Sequence, residues 1–510
     1  MRLLRCLACG VLALALLACA SGCNTSTPSA SVKTLAVSAD QVGVFDQALQ
    51  DLLAQAGTEP AEILLPVGNF ELKQSHTVGT NVTLTFARGA SVTLAKDATL
   101  TVKGTVKAPA TYIFRGEGTV AGDIQGTAYV QWFGADEETS DHTASFQKAL
   151  DCCRYVVVPN RTSSYKITQL RAEKPVTLTG SGANRVQLDI LREEGTVFTI
   201  SSSDVRLENL KFYNVRTEAL DFTTVHLDTS EHDLNNITLY NVHMTKPCHA
   251  ITDAQSDKYV ITNLTLDHMK IGDNRNTGIH LTDCTTGILL NDVTISSFSP
   301  NIITNAYIFE NIEQMHLENV DNLGGLTKTG NGGDGLTFIN CKNVTGYRIM
   351  TDYLSGRHLV IKDCSGFRIS NFVTSLLRAE GIYIDGLTDS QLDVFKANDG
   401  ATHGSTYGSV APAVHLKRCH NNTFNDLIII LSKNEGLILE DCSGNVFNNL
   451  VTSGSSNPYA LNETASCSNN TFNGVSLKGD YTLQGSGSAI HSLSSKNGTL
   501  FELVSAPAQG

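Results

Sequence analysis

Gly335-Leu-Thr-Phe-Ile-Asn-Cys341, His358-Leu-Val-Ile-Lys-Asp-Cys364, Ala413-Val-His-Leu-Lys-Arg-Cys419 and Gly436-Leu-Ile-Leu-Glu-Asp-Cys442 are copies of one seven-residue pattern, and Gly278-Ile-His-Leu-Thr-Asp-Cys284 precedes them. Each copy alternates apolar and polar side chains, the period of a strand with one buried face. After each cysteine a short polar turn leads into a second alternating strand, as in Phe367-Arg-Ile-Ser-Asn371, Phe424-Asn-Asp-Leu427 and Val446-Phe-Asn-Asn-Leu450. From Val205 onward the copies recur every 23 to 32 residues, with Gly, Asn and Ser at the corners and no helical periodicity between them. One such unit cannot bury its own apolar face, so units of this length stack into a β-solenoid.

Cys284, Cys341, Cys364, Cys419, Cys442 and Cys467 fall at one position of the repeat, and Ser256, Ile312 and Leu387 are expected in the same slot. A gap of 23 residues is one rung; gaps of 55 and 57 are two. A small residue pointing inward on every coil makes a core ladder. Rungs lie ~4.8 Å apart, near the Cα separation of a disulfide, so a Cys341–Cys364 bridge is sterically open. Packed free thiols are the favoured reading, and Cys152-Cys153 reads as filling beneath a capping helix.

The first residues set an expected compartment. Arg2 and Arg5 precede an apolar run from Leu7 to Leu17, followed by Cys19 and Cys23 after small residues. This predicts a lipoprotein signal peptide over 1–22, acylation of Cys23 (alternatively Cys19) and a tether over 23–40. The expected location is the bacterial envelope, at the outer membrane or cell surface, with the lipid as the only membrane contact. An ordinary signal peptide is the alternative, and no later stretch is long and apolar enough to span a bilayer. The net charge of −13 argues against nucleic acid, which needs clustered Lys and Arg. No calcium loop, zinc spacing or phosphate loop stands out, so neither metal nor cofactor is required by the sequence.

The N-terminal third carries an internal duplication. Phe45-Asp-Gln-Ala-Leu49 leads to Ile63-Leu-Leu-Pro-Val67, and Phe146-Gln-Lys-Ala-Leu150 leads to Tyr155-Val-Val-Val-Pro159. Both read as a short amphipathic helix entering a strand, as capping an open solenoid end requires. The expected divisions are a cap with leader coils over 41–140, the main solenoid over 141–480 and a C-terminal cap or tail over 481–510. Trp132-Phe-Gly-Ala135, Asp141-His-Thr-Ala-Ser-Phe-Gln-Lys-Ala-Leu150 and Val156-Val-Val-Pro159 together resemble the opening of the pectate-lyase-like superfamily. That opening is shared with polysaccharide lyases, polygalacturonases, rhamnogalacturonases and phage tailspikes. The resemblance implies an all-β, single-stranded right-handed parallel β-helix with short N-terminal capping helices. It also implies a polysaccharide partner, while leaving lyase, hydrolase, epimerase and binder open. Tailspike-like β-helices often trimerise along one flank, which makes a homotrimer one assembly to test.

Seven residues before the cysteine slot lies the residue that opens each strand. Down the coils this column reads His249, Thr277, Asn305, Asp334, Arg357, Glu380, Pro412, Glu435, Ala460. Asp334, Arg357 and Glu380 are consecutive, so the two acids lie two rungs, ~9–10 Å, apart. That is near the upper end of the spacing for an inverting glycosidase, with an arginine between them to hold negative charge. The three are the candidate catalytic residues; the bland alternative is a solvated edge on which Arg357 relieves repulsion. Polygalacturonases also place aspartates before Gly-Ile strand starts, but this chain lacks their adjacent Asp-Asp, Gly-His-Gly and Arg-Ile-Lys, so their catalytic set does not carry over. Excursions at Ser299–Thr304, Leu323–Gly333 and Lys396–Ala411 would border the column as a groove. His358, Lys396, Asp399, His403, Tyr407 and Lys417 are the candidate substrate contacts. A lyase would need a basic group and often Ca²⁺; Lys417 and Arg418 form the densest basic pair, expected on opposite strand faces. The sequence thus favours a surface carbohydrate-active enzyme, hydrolase ahead of lyase, with a non-catalytic binding solenoid as the rival.

Overall fold

Asparagine, aspartate and glycine make most of the corners at which this chain turns. Asn241, His268, Asp292, Asn319, Arg348, Asn371, Val394, Asp426 and Asn449 stack at one corner of successive coils, all with φ between 53° and 62°. Asn340, Asp363, Gly386, Arg418 and Asp441 make a second left-handed column just before the cysteine slot. Short polar side chains tolerate this region of backbone space and glycine meets no barrier there. His268, Arg348, Val394 and Arg418 take the same left-handed turn, and Val394, β-branched, is the one for which it is least favourable.

The computed structural model describes residues 32–38, 45–136, 139–182, 184–216, 220–297, 305–324, 333–377, 379–398, 411–430, 434–453, 459–494 and 500–501. Between such corners the chain forms a right-handed parallel β-helix of about 17 turns. Among the described residues every strand pairing is parallel, except that Leu493–Ser494 meets Leu500–Phe501 antiparallel at the C-terminal end. One side of each main coil contributes to a thirteen-stranded sheet running from Leu170–Ala172 to Asp480–Leu483. The other strands bend around the remaining sides as a twenty-eight-stranded sheet. The ladder passes from Thr105–Lys107 through Ile124–Tyr129, across a register shift between Ile124 and Thr127, to Cys153–Val158, so the leader coils and the main solenoid share one stack.

The interior is built from like side chains on like positions. Phe424, Phe447 and Phe472 stack at centroid separations of 4.8 Å with planes 5° and 7° apart, so the rung spacing can be read directly from the rings. Asn422, Asn445 and Asn470, all buried, form a polar ladder beside them. Each takes the backbone N–H of the previous rung, Ser390, Asn422 or Asn445, on its Oδ1 at 3.0 Å. Each donates Nδ2 to the carbonyl of Leu387, Cys419 or Cys442 at 2.8–3.0 Å. That closes the hydrogen bonding of a buried corner with no water.

All nine cysteines of the described residues are free and buried. Cys341, Cys364, Leu387, Cys419, Cys442 and Cys467 do share one inward column, followed by residues that pair rung to rung. Ser256 departs from it: Cys284 pairs instead with Ile261 through a register shift. Ser256 is half-buried because its hydroxyl accepts the N–H groups of Lys258 and Tyr259 and closes a local turn.

The helices Phe45–Ala56 and Thr143–Cys152 each bury one face, Phe45, Leu49 and Leu52 in the first and Phe146, Ala149 and Leu150 in the second. Trp132 is fully buried and donates its indole N–H to Pro109 O at 2.9 Å. No helix of the described residues is long and apolar enough to cross a membrane. Cys19 and Cys23 lie outside the described residues.

Candidate functional site

The thirteen-stranded sheet turns three columns outward in its central coils, and the strand-opening column is the first. Strand register aligns His249, Thr277, Asn305, Asp334, Arg357, Glu380, Pro412 and Glu435. The last position is Tyr459 and not Ala460, because Leu437 pairs with Leu461 and the Gly436 N–H reaches Tyr459 O.

Asp334 is held from both sides. Its own N–H donates to Asn305 Oδ1 at 2.8 Å. Its carboxylate receives Arg357 Nη2 at 2.7 Å, Nε at 3.2 Å and the Arg357 backbone N–H at 2.9 Å. Burial works against the guanidinium charge, but the hydrogen bond and charge of Asp334, then Glu380 and Tyr383, outweigh it and raise the arginine pKa. The Arg357 guanidinium also lies over the Tyr383 ring, 5.2 Å from its centroid, a cation–π contact.

One rung on, Glu380 Oε1 meets His415 Nδ1 at 3.1 Å, and Glu440 Oε2 lies 3.4 Å from His415 Nε2. The Glu380 hydrogen bond is the main cause of a raised His415 pKa; burial opposes it and Glu440 adds to it. The imidazole is therefore biased towards its charged form between two carboxylates. Tyr383 packs edge-on to His415 at 5.4 Å and donates its hydroxyl to Asp385 Oδ2 at 3.2 Å. Burial first, then the negative charge of Asp385, raises the phenol.

Lys417 stands on this same face, in register between Asp385 and Glu440. Arg418 does not turn to the opposite face. Its left-handed φ of 48° leaves it exposed, bonded through Nε to Asp385 at 2.5 Å and through Nη2 to Asp363 at 3.1 Å. Lys396 lies on the adjoining sheet, paired with Val373 and Ile428 and partly exposed. Asp399, His403 and Tyr407 fall outside the described residues, as do 299–304, 325–332 and 399–410 of the expected bordering excursions.

His358 is a correction. It is completely buried, its Nδ1 3.1 Å from Thr351 Oγ1 and its Nε2 without a partner. Burial depresses its pKa to about 4. The second residue of each strand, including Ala306, Gly335, His358 and Ala413, faces the interior together with the third. That break in the alternation turns His358 inward, away from any groove.

The same outward face carries a cleft that the sequence reading did not assemble. It opens five rungs before Asp334, at Thr196, and is lined by Asp221, His226, His249, Thr252, Asp253 and His280 among others, with a volume of about 460 Å³. His280 pairs with Glu310 at 3.2 Å. The strand-opening column aligns His249 with Thr277 but starts at His249, so it does not reach the earlier coil of Asp221 and His226. No group of three or more metal-binding side chains is formed among the described residues.

No family model matches the chain, and no curated protein matches it in sequence. Solved structures are similar to it in fold. Bacteriophage CBA120 tailspike protein 3 is 10% identical with a TM-score of 0.45, covering 72% of this chain and 59% of that one. The A-module of the Azotobacter vinelandii mannuronan C-5 epimerase AlgE4 is 13% identical with a TM-score of 0.43, covering 72% of this chain and 100% of that one. A double mutant of the periplasmic alginate epimerase AlgG is 7% identical with a TM-score of 0.33, covering 87% and 82%. At these identities the likeness concerns the β-helix alone.

Proposed function

We propose that this chain is a carbohydrate-active β-helix that lays a polysaccharide along the outward face of the thirteen-stranded sheet and hydrolyses it beside Arg357. The reading rests on one observation: Asp334, Arg357 and Glu380 occupy three successive rungs of the solvent-facing strand-opening row, and His415, on the next rung in the neighbouring row of Tyr383, pairs with Glu380. In this reading a water attacks the anomeric carbon while Asp334 accepts its proton, and the bond from that carbon to the glycosidic oxygen breaks. Charged His415 gives up its proton through the Glu380 carboxylate to the leaving oxygen, leaving His415 neutral until it takes a proton from solvent. Arg357 orients Asp334 and attracts an acidic substituent on the sugar; Lys417 and Lys396 extend the positive contacts. A β-eliminating lyase would use the same row with Arg357 or Lys417 near the abstracted proton and would call for Ca²⁺. The protein would be carried at the envelope by acylated Cys23, or Cys19, which intact-mass analysis of the membrane-extracted protein tests.

The deciding experiment incubates the mature protein with a panel of neutral and acidic polysaccharides. New reducing ends, without the ultraviolet absorbance of an unsaturated uronate, support hydrolysis, and Glu380→Gln should then abolish them. Absorbance moves the assignment to elimination. A second reading, a non-catalytic binder, draws on the internal matching of charges: Asp334 with Arg357, Glu380 with His415, Asp385 with Arg418. Binding without either product selects it.

A further inference from the structure

The cleft at Asp221, His226, His249, Thr252, Asp253 and His280 differs in chemistry from the Arg357 row. It lies on the same face, and its last rung, that of His280, is two rungs before Asp334, about 10 Å. Its imidazoles are individually fixed. His226 Nδ1 is 3.0 Å from Thr252 Oγ1, His249 Nε2 is 3.3 Å from Asp221 Oδ1, and His280 Nε2 is 3.2 Å from Glu310 Oε1. At the floor, the carboxylate of buried Asp253 accepts the N–H groups of Thr282 and Asp283 at 2.6 and 2.8 Å and the Thr282 hydroxyl at 2.9 Å. Burial keeps His226 towards its neutral form and raises Asp253.

Among the described residues no lysine or arginine lines this space, and Arg171, the cation whose charge reaches His226, is paired with Glu173 and Asp228; carboxylates stand at the rim and floor. An anionic ligand would lose its water here and gain no cation in return. What the walls do offer is a dense set of short donors and acceptors: imidazoles, threonine hydroxyls at Thr196, Thr223, Thr252 and Thr277, and the acids. A polyhydroxylated, uncharged ring satisfies such a set.

We propose that this cleft is a binding subsite for an uncharged sugar unit. The inference rests on the reading that the face carries a polysaccharide, and it deepens it. The polymer would be a heteropolysaccharide with a neutral unit at His226 and an acidic unit near Arg357, a few sugars apart. His226 contacts the sugar directly; among the described residues its Nε2 has no protein partner.

The test is side-chain NMR of the full mature chain with labelled histidine, its His226 and His280 signals assigned by His226→Gln and His280→Gln. The probes are the methyl glycosides of glucose, galactose, mannose, rhamnose and N-acetylglucosamine, against those of galacturonate and glucuronate. At least one neutral glycoside should shift both signals saturably, and His226→Ala should weaken it about tenfold, the loss of roughly one hydrogen bond. Both uronides should leave the signals in place. Silence with every neutral glycoside, or a stronger response to a uronide, overturns the subsite. Because free glycosides are titrated, a failed polysaccharide digestion would not be mistaken for a failed subsite, nor the reverse.

Discussion

Arg357 grips the carboxylate of Asp334 one rung away with two side-chain nitrogens and its own backbone N–H, so side chain and ladder enforce the same geometry. The side chains are 28% and 22% exposed, so solvent screens their attraction. A double-mutant cycle with Asp334→Ala and Arg357→Ala, followed by urea unfolding, should give a coupling of only about 1 kcal/mol. Loss of any identified hydrolysis in either single variant should be far larger. A coupling of several kcal/mol with activity retained would make the pair an architectural clamp.

The thiol ladder makes a second prediction. Cys341 N–H points at Cys364 Sγ at 3.3 Å, and Cys442 N–H at Cys467 Sγ at 3.4 Å, as in packed free thiols. Thiol titration without reductant should find almost none reactive in the native mature protein and nine once it is unfolded. Seven or fewer after unfolding, restored by reductant, would reveal a bridge between rungs.

Asn445 tests the polar ladder. Alanine there strands the Asn422 N–H in the interior, while the Cys419 carbonyl keeps the Ser443 N–H at 3.0 Å, at a cost of about 1–3 kcal/mol. Thermal unfolding should show a clear fall in Tm, whereas the same change at solvent-facing Asn462 should barely register. Equal effects would mean that the ladder contributes no special stability.

The repeat was legible because a strand period of two, locked to a coil of 23 residues, fixes which residues align. That arithmetic placed Asp334, Arg357 and Glu380 on adjacent rungs without any structure. It failed at His358, since the strand start puts two neighbouring residues inward and alternation alone forbids that. It failed again at Tyr459, where one coil is a residue off the cysteine spacing. Tyr383, His226 and His280 lie off the strand-opening column, and their roles come from neighbours on other coils.

His358 gives stability an acid dependence. Its pKa falls to about 4 in the folded protein, against 6.5 in an open chain. Between these values the unfolded chain binds the extra proton, so stability drops as pH falls through that window and is unaffected above it. The wild type should lose on the order of 3 kcal/mol more than His358→Gln between about pH 7 and pH 4, read by urea unfolding at each pH. Parallel pH profiles would show that a water or a rearrangement already satisfies the imidazole.

His415 works in the other direction. Glu380 raises its folded pKa above the open-chain value of 6.5, so the pair contributes fully below 6.5 and fades as pH climbs through the raised value. Glu380→Gln removes the main cause while keeping shape and a hydrogen-bond acceptor; Glu440, 3.4 Å from the other nitrogen, remains. The stability gap between wild type and Glu380→Gln should therefore be widest near pH 6 and narrow towards pH 9. A gap that is constant, or that widens with pH, would mean that His415 is neutral in the folded protein. It could not then supply a proton to Glu380, and the hydrolytic scheme would lose its acid.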